Sequence, residues 1–299
     1  MQFLRGTASI EPSLPLHEPA WIAWDPILKA VWSTNAHFLN DPTEFVHALS
    51  FAKSIANYFF DNDYFEQFGA MLHRHVGKLR GEGLYVSSFS EKPDLLSQWR
   101  GYCPGGSGYC LGFDRNILQQ YCDSRGYRLE KCVYGHDDQQ AEVTGIVNTA
   151  MALFPEMEVT PEEFHGLPNK DKMECMVAFH QHLEGEGANQ ASEAIALICE
   201  SLLELAPRFK NAGFEEEAEW RIIVNEPDTK AISFRAGPSY FIPHIALDVI
   251  KANRDVVRSL IVGPNPNQAR AVKSAEALFQ SLGYSPNLVT ASSIPFNYW

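Results

Sequence analysis

The hydrophobic pattern becomes regular near residue 43, where apolar side chains begin to recur at spacings of three and four residues. Five of them form one stripe: Phe45, Leu49, Ala52, Ala56 and Phe59. This spacing puts all five on one face of a helix, so we predict an amphipathic helix from Thr43. A second helix is predicted from Tyr64 to Arg80, and Gly81 and Gly83 end it.

Short apolar runs rich in aromatic and β-branched residues predict strands on both sides of a helical middle region. Before that region they cover Leu84 to Phe89, Gly108 to Asp114 and Arg128 to Tyr134. After it they cover Trp220 to Val224, Ala231 to Phe234, Phe241 to Leu247 and Ser259 to Val262. Further helices are predicted at 116–121, across 137–210 and at 268–282.

Strands that are distant in sequence and flank a helical region favour an α+β fold. We predict a mixed or antiparallel sheet core. Residues 1–299 are expected to form a single α+β domain with a mainly helical insert at about 137–210. The sequence shows neither an internal repeat nor a low-complexity linker that would favour two domains.

The charge of the chain limits its partners. A formal net charge of -13 over 299 residues repels a phosphate backbone, and no basic patch offsets it, so nucleic acid is not an expected partner. The six cysteines form no CxxC pair and are expected to be reduced thiols. No apolar run is long enough to cross a bilayer, and the N-terminus lacks the layout of a signal peptide. We therefore expect a cytoplasmic protein without membrane contact.

Three segments carry candidate chemistry. The first is a predicted strand that runs into the hydroxyl-rich turn Ser87-Ser88-Phe89-Ser90. Serine hydroxyls at a strand end can orient a ligand or a carboxylate, or they can cap a turn. The pattern alone leaves both interpretations open.

The second segment is Gln98-Trp99-Arg100-Gly101-Tyr102, which precedes a glycine-rich stretch. An arginine, two aromatic rings and an approachable backbone suit a nucleotide or another planar anion. The alternative is that Trp99 and Tyr102 are core residues beside a hairpin. The segment is not a P-loop, because the Gly-Lys-Ser/Thr ending is missing.

The third segment, residues 215–221, opens a late strand with the sequence EEEAEWR. In an extended backbone Glu217 and Glu219 face the same side and Trp220 faces the other. Two ionised carboxylates on one face repel each other unless a cation such as Arg221 or Arg100 intervenes. Such a pair suits acid/base work or a cationic transition state, although an exposed acidic strand start without function is an equal alternative.

A fourth segment, around Leu39-Asn40-Asp41, has the signature of a helix start. Asn40 or Asp41 can cap the helix, and Pro42 suits its first turn. His73 and His75 lie two residues apart on a predicted helix, so they do not share a face, and no metal site is predicted there.

Taken together, these segments resemble a widespread bacterial family described only as a domain of unknown function. The motifs that carry the resemblance are Leu39-Asn40-Asp41, Ser88-Phe89-Ser90, Ser97 to Arg100 with Tyr102, Gly108 to Phe113, Glu217 to Arg221, and Val262-Gly263-Pro264. They span most of the chain.

The layout of the family looks like that of ADP-ribosyltransferases, which hold NAD with an early Arg or His and place a glutamate at the start of a late strand. The resemblance implies that Glu219 is the catalytic carboxylate and that Glu217 assists the acceptor. It also implies that Ser88 and Ser90 position Glu219 and the ribose. Trp99 or Tyr102 would stack on the nicotinamide.

The residues that would bind the cofactor also include Arg100 and, at the start of the first long helix, Asn40. Family members usually carry a His-Tyr-Thr-Ser segment upstream of Asn-Asp, and this chain departs from that pattern. It has Leu16 to Pro19 and Leu4 to Thr7 instead, so His17 or Arg5 would take the role of holding NAD.

Three functions remain as hypotheses. The leading one is an NAD-dependent ADP-ribosyltransferase or NAD glycohydrolase that acts as a bacterial toxin or antiphage effector. Its substrate would be NAD, and an antitoxin or another protein would be a candidate partner. The second is a non-catalytic module that binds a nucleotide or a protein through Trp99, Arg100 and Tyr102. The third is a metal-dependent nuclease, for which the sequence offers acidic residues but no ligand set.

Overall fold

The computed structural model describes residues 2–5, 30–39, 44–103, 108–237 and 239–295; residues 2–5, 44 and 45 are described by their backbone alone. The strands are β1 (Gln2–Arg5), β2 (Val31–Asn35), β3 (Leu84–Ser90), β4 (Gly108–Phe113), β5 (Arg128–Lys131), β6 (Glu219–Asn225), β7 (Ile232–Ala236), β8 (Phe241–Leu247), β9 (Val257–Val262) and β10 (Val289–Ala291). The helices are α1 (Glu44–Phe60), α2 (Glu66–Val76), α3 (Leu96–Tyr102), α4 (Arg115–Arg125), α5 (His136–Met151), α6 (Pro161–Gly166), α7 (Asn169–Glu184), α8 (Ala188–Leu205), α9 (Val249–Ala252) and α10 (Gln268–Ser281).

The chain divides into two compact units. The sheet unit consists of Met1–Leu39, Gly83–Cys132 and Gly213–Trp299. The helical unit consists of Asn40–Glu82 and Val133–Ala212. The region predicted as a helical insert, at about 137–210, therefore lies in a unit that also contains α1 and α2.

The sheet unit contains two sheets. The six-stranded sheet has the order β5-β6-β3-β2-β8-β7, and all its neighbouring strands are antiparallel. The four-stranded sheet has the order β1-β4-β9-β10 and is antiparallel except between β9 and β10. The predicted α+β class, with antiparallel and mixed sheets, is confirmed.

The core of the sheet unit combines side chains from both sheets with the buried faces of α4 and α10. From the six-stranded sheet come Tyr85, Phe89, Leu129, Ile222, Val224, Ile245 and Leu247, and from the four-stranded sheet come Leu111, Leu260 and Val262. Phe89 and Phe113 meet edge to face with ring centroids 5.4 Å apart. Because side chains alternate along a strand, this core uses only one face of the six-stranded sheet.

The helical unit has its own core, to which the predicted stripe of the first helix contributes. Four of the five stripe residues, Leu49, Ala52, Ala56 and Phe59, are buried together with Ala48, which confirms the amphipathic helix; the side chain of Phe45 is not described. The helix α2 is shorter than predicted, since it ends at Val76 and not at Arg80. None of the described helices is both long and apolar enough to cross a membrane.

Candidate functional site

The early serines and the late glutamate lie on adjacent strands. β3 pairs with β6, so that Ser90 is directly opposite Glu219 and Ser88 is directly opposite Arg221. Opposite residues of an antiparallel pair project to the same side of the sheet, and so do residues two apart on one strand. Ser88, Ser90, Glu219 and Arg221 therefore share the face of the six-stranded sheet that is turned away from the core. We call it the polar face.

Glu219 and Arg221 form a buried ion pair on the polar face. The Arg221 Nε donates to the Glu219 Oε1 over 2.6 Å, and their side chains are 2% and 4% exposed, respectively. Each charge of this buried pair needs the other, because removing one would leave its partner in a poorly solvated position. The ion pair therefore holds the two side chains together. The arrangement thus presents an oriented carboxylate that is already paired with a cation.

Charged residues continue along the polar face onto β5. Glu130 lies opposite Arg221, and Arg128 lies opposite Ile223. The Arg128 Nη1 and the Glu130 Oε1 are 3.4 Å apart. The guanidinium of Arg221 is therefore flanked by the strands that carry Glu130 and Ser88.

Ser90 links two turns. Its Oγ lies 2.6 Å from the Glu217 carbonyl oxygen and 3.0 Å from the Lys92 carbonyl oxygen, and it accepts a hydrogen bond from the Lys92 backbone N–H. These contacts fit the turn-capping interpretation for this serine. Ser88 is half-buried and remains the serine beside Arg221.

The expected pairing of Glu217 with Glu219 on one strand is wrong. Glu217 ends a 3-10 turn that runs from Ala212 to Glu217, and β6 begins only at Glu219. Between them, Ala218 has a φ of 43°, in the left-handed region that non-glycine residues rarely adopt. Because the backbone is not extended there, the alternation that was predicted to align the two carboxylates does not apply.

Trp99 does not lie on the polar face. It is 2% exposed and packs with Cys103 and Cys110 in a cluster on the four-stranded sheet. A side chain at Gly263 would come within 2.8 Å of the indole ring, so the glycine allows this close packing. The expected position of Trp99 beside the serines and Glu219 is therefore wrong, and the core interpretation of this tryptophan fits.

The other predicted binding residues are scattered or outside the described residues. Arg100 is exposed at the end of α3, and Tyr102 is half-buried beside the Trp99 cluster. The backbone of Arg5 pairs with Gly108 in the four-stranded sheet, but its side chain is not described. His17 and Asn40 lie outside the described residues.

Asp94 is a residue that the sequence analysis missed. Its carboxylate accepts hydrogen bonds from the Trp99 Nε1 (2.7 Å), the Ser292 Oγ (2.6 Å), and both the backbone N–H and the hydroxyl of Ser293. Burial by itself would raise the pKa of Asp94, but these hydrogen bonds lower it below its ordinary value of 3.8. Asp94 thus fixes α3 to a segment almost 200 residues away, and no local pattern signals that contact.

Replacing Asp94 with asparagine is expected to destabilise the sheet unit by about 1–3 kcal/mol near neutral pH, because charge-assisted hydrogen bonds are lost. Since the folded protein lowers this pKa, the contribution is present above pH 3.8 and is lost as the pH falls below it. Urea unfolding of wild type and D94N between pH 7 and pH 3 measures the difference. A difference that grows as the pH falls would contradict the assignment.

Catalysis by a thiol nucleophile and catalysis by a bound metal ion both have little support in the described residues. Burial raises the pKa of the Cys110 thiol, next to Trp99, to about 12, so it is a poor nucleophile. The described residues contain no cluster of three or more His, Cys, Asp or Glu side chains that could hold a metal ion.

The helical unit carries a separate groove of about 260 Å³. It is lined by His47, Ser50, Phe51, Ser54, Ile55, His136 and Gln140. Both serine hydroxyls donate to backbone carbonyls of α1, and His47 bonds to Gln139. None of the residues predicted from the motifs lines this groove.

Comparison with known proteins connects the chain to one family. Residues 98–222 match the family model described as "Protein of unknown function (DUF2971)". The matched region contains the Gln-Trp-Arg motif, the Gly108 to Phe113 strand and the Glu-x-Glu-Trp-Arg motif, whereas the Ser-Phe-Ser motif lies before it. No curated protein and no solved structure matches the chain.

The resemblance predicted from the motifs is thereby confirmed over residues 98–222, the part of this chain that matches the family of unknown function DUF2971.

Proposed function

We propose that the protein cleaves the bond between nicotinamide and ribose in NAD, as an ADP-ribosyltransferase or an NAD glycohydrolase. The observation that carries the proposal is the pairing of β3 with β6, which sets Ser88 and Ser90 opposite Arg221 and Glu219. A hydroxyl and an oriented carboxylate on one face are the groups that this reaction needs.

The reaction passes through a ribose cation with oxocarbenium character as the bond to nicotinamide breaks. A fixed negative charge beside that cation lowers its energy, because charge stabilisation in a site with little water is strong. Glu219 would supply the charge, and Arg221 would hold its carboxylate in place. With water as acceptor, NAD and water give nicotinamide, ADP-ribose and a proton.

The biological role that we propose is that of a toxin or antiphage effector, since depletion of NAD or modification of a protein would stop growth. A protein partner that blocks the polar face would then control the activity. The support for this role is the proposed chemistry and the likeness of the motif layout to that of ADP-ribosyltransferases.

A second candidate function is a non-catalytic nucleotide-binding module. The observation that favours it is the ion pair itself, because the Glu219 carboxylate is almost entirely buried and already paired with Arg221. A module of this kind would bind NAD or ADP-ribose without changing either.

Incubation of the purified wild-type protein with NAD separates the two candidates. Release of nicotinamide, followed by chromatography, is expected for the enzyme, with either free ADP-ribose or ADP-ribosylated protein as the second product. A rise in melting temperature with NAD but no product would instead support the binding module. If the wild-type protein neither releases nicotinamide nor binds NAD, both candidate functions are wrong.

The serines allow a matched test of the polar face. Ser88→Ala is expected to lower the rate of nicotinamide release about tenfold, because a positioning hydroxyl beside Arg221 is lost. Ser87 is its control, since this neighbouring serine faces the core, where its hydroxyl lies 2.5 Å from that of Ser33. Ser87→Ala is expected to change stability but leave the rate per folded molecule unchanged. Equal losses of rate in the two variants would remove Ser88 from the mechanism.

A further inference from the structure

The polar face carries an aromatic residue that none of the motifs includes. Trp32 lies on β2, the neighbour of β3, and the burial of β2 alternates so that Val31 and Ser33 are buried while Trp32 is 36% exposed. Trp32 therefore projects from the side that bears Glu219 and not from the core side.

The strand register puts Trp32 next to Ser88. Thr34 pairs with Val86, and the hydroxyls of Ser33 and Ser87 meet on the core side of the sheet. Extending this antiparallel register by two residues beyond the Thr34–Val86 pair places Trp32 opposite Ser88, which is itself opposite Arg221. Glu130, Arg221, Ser88 and Trp32 thus form one row across four adjacent strands.

Two further side chains lie beside the indole ring of Trp32. The rings of Trp32 and His244 have centroids 4.7 Å apart, and the guanidinium carbon of Arg235 lies 5.7 Å from the Trp32 ring centroid. Arg235 also donates to the Thr34 hydroxyl over 3.3 Å. His244 pairs with Thr34 in the sheet, and Arg235 pairs with Ile242, so all of these residues lie on the polar face.

His244 has an unsatisfied atom. The residue is 6% exposed, and within the described part of the chain its Nδ1 is buried without a hydrogen-bond partner. A buried polar atom without a partner destabilises the fold, and a hydrogen bond from a ligand would remove that penalty. Burial lowers the pKa of His244; a hydrogen bond with the Ile242 backbone opposes this shift, and the charge of Arg235 lowers the pKa further. The imidazole is therefore neutral near pH 7. One of its nitrogens can donate and the other can accept a hydrogen bond with an uncharged heterocyclic base.

We infer that Trp32, His244 and Arg235 bind the purine base and adjoining phosphate of an adenine nucleotide, at the end of the ligand remote from Glu219. Three features fit this class of ligand: an exposed indole for stacking, an imidazole nitrogen for a hydrogen bond, and a guanidinium for phosphate. The inference rests on the proposed function, because it assigns the second half of the same dinucleotide.

The spacing of the strands favours the remote base over nicotinamide. The strands β6 and β2 are two strand spacings apart, which is about 9–10 Å. Nicotinamide is bonded to the reacting ribose carbon and must stay beside Glu219. The adenine ring, separated from that carbon by a diphosphate and a second ribose, can extend across the sheet to Trp32.

Binding of ADP-ribose and of AMP tests the inference, because neither compound contains the bond to nicotinamide and neither is consumed. Calorimetric titration of Trp32→Ala is expected to show a Kd for both ligands raised about tenfold or more, since base stacking on an aromatic side chain is lost. Trp32→Phe keeps a stacking surface and is expected to stay within about threefold of wild type. Circular dichroism and thermal unfolding show that each variant is folded.

A matched pair of arginines tests the phosphate contact. The guanidinium carbon of Arg115 lies 4.6 Å from the ring centroid of Trp220, so this pair resembles Arg235 with Trp32. Trp220 projects from the opposite side of the same sheet, so the pair lies away from the polar face. Arg235→Gln is expected to weaken AMP binding severalfold and adenosine binding hardly at all. Arg115→Gln is expected to change neither.

The possible results separate this inference from the proposed function. Absence of NAD turnover together with ADP-ribose binding that depends on Trp32 would overturn the enzyme and support the binding site. NAD turnover with unchanged ADP-ribose and AMP binding in Trp32→Ala would support the enzyme and overturn the binding site. The inferred binding site would also be overturned if Arg235→Gln and Arg115→Gln had equal effects on AMP binding. The same holds if the wild-type protein bound neither ADP-ribose nor AMP.

Discussion

Glu219→Gln is expected to lower the rate of nicotinamide release from NAD by about 100-fold or more. Glutamine has nearly the same shape but no charge, so it cannot stabilise the ribose cation electrostatically, and removal of one such group typically has an effect of this size. The measurement is the single-turnover rate of nicotinamide release at saturating NAD, normalised to folded protein.

Glu130→Gln is the matched control for this variant. Glu130 is a second carboxylate opposite Arg221 on the polar face, but it lies on β5, on the far side of β6 from the serines. Its replacement is expected to reduce the rate by less than about tenfold. Equal rates in wild type and Glu219→Gln would remove Glu219 from the mechanism. Equal losses in the two variants would mean that the orientation of Arg221 matters and the charge of Glu219 does not.

Breaking the Glu219–Arg221 pair is expected to have the largest effect on stability. Arg221→Met removes the guanidinium that contacts the buried Glu219 carboxylate, and loss of one partner of a buried ion pair costs about 3–5 kcal/mol. The double variant Glu219→Gln/Arg221→Met is expected to lose less than the sum of the two single variants, because neither charge is then left buried alone.

Hydrogen exchange of the β6 backbone amides, followed by mass spectrometry, measures this effect in the strand itself. A local measurement is preferable because the chain has two compact units and a single unfolding transition is not guaranteed. The control is Lys170→Met in α7, which removes the exposed pair of Lys170 with Glu174 at 3.7 Å and is expected to cost less than about 0.5 kcal/mol. An Arg221→Met variant that loses no more protection than Lys170→Met would contradict the structural importance of the pair.

Glu219 and Arg221 link the stability of β6 to the chemistry proposed for it. Arg221 stabilises the position of Glu219, and that fixed position is what the proposed reaction requires. An effector with this design would have little tolerance for substitutions at either residue. Variants that keep the charge but change the geometry, such as Glu219→Asp, are therefore expected to lose rate more than stability.

Local patterns in the sequence were sufficient for many elements. The stripe of apolar residues in α1 and the run of aromatic and β-branched residues in β3 depend on neighbouring residues alone, so the helix and the strand could be predicted with small errors at their ends. The motifs also identified β3 and β6, the two paired strands that carry the candidate site. Their serines and glutamate share a face because strand alternation fixes which side each side chain takes once two strands pair.

The errors arose where the backbone or the packing departs from the local pattern. The prediction for Glu217 assumed extended backbone, but the positive φ of Ala218 ends that regularity one residue before β6. Trp99 and Trp32 both lie near polar residues in the sequence. Trp99 is buried on the four-stranded sheet, where it packs against Gly263 and donates to Asp94. Trp32 lies on the polar face of the six-stranded sheet.

The sequence by itself determined the α+β class, the main helices and strands, and the chemical groups of the Ser-Phe-Ser and Glu-x-Glu-Trp-Arg segments. Only the tertiary structure decided which tryptophan stands beside those groups, which carboxylate is paired with Arg221, and how Asp94 fixes Ser292. The physical reason is that periodicity depends on residues a few positions apart. Strand order, register and burial depend on contacts between residues more than a hundred positions apart, which a local pattern does not encode.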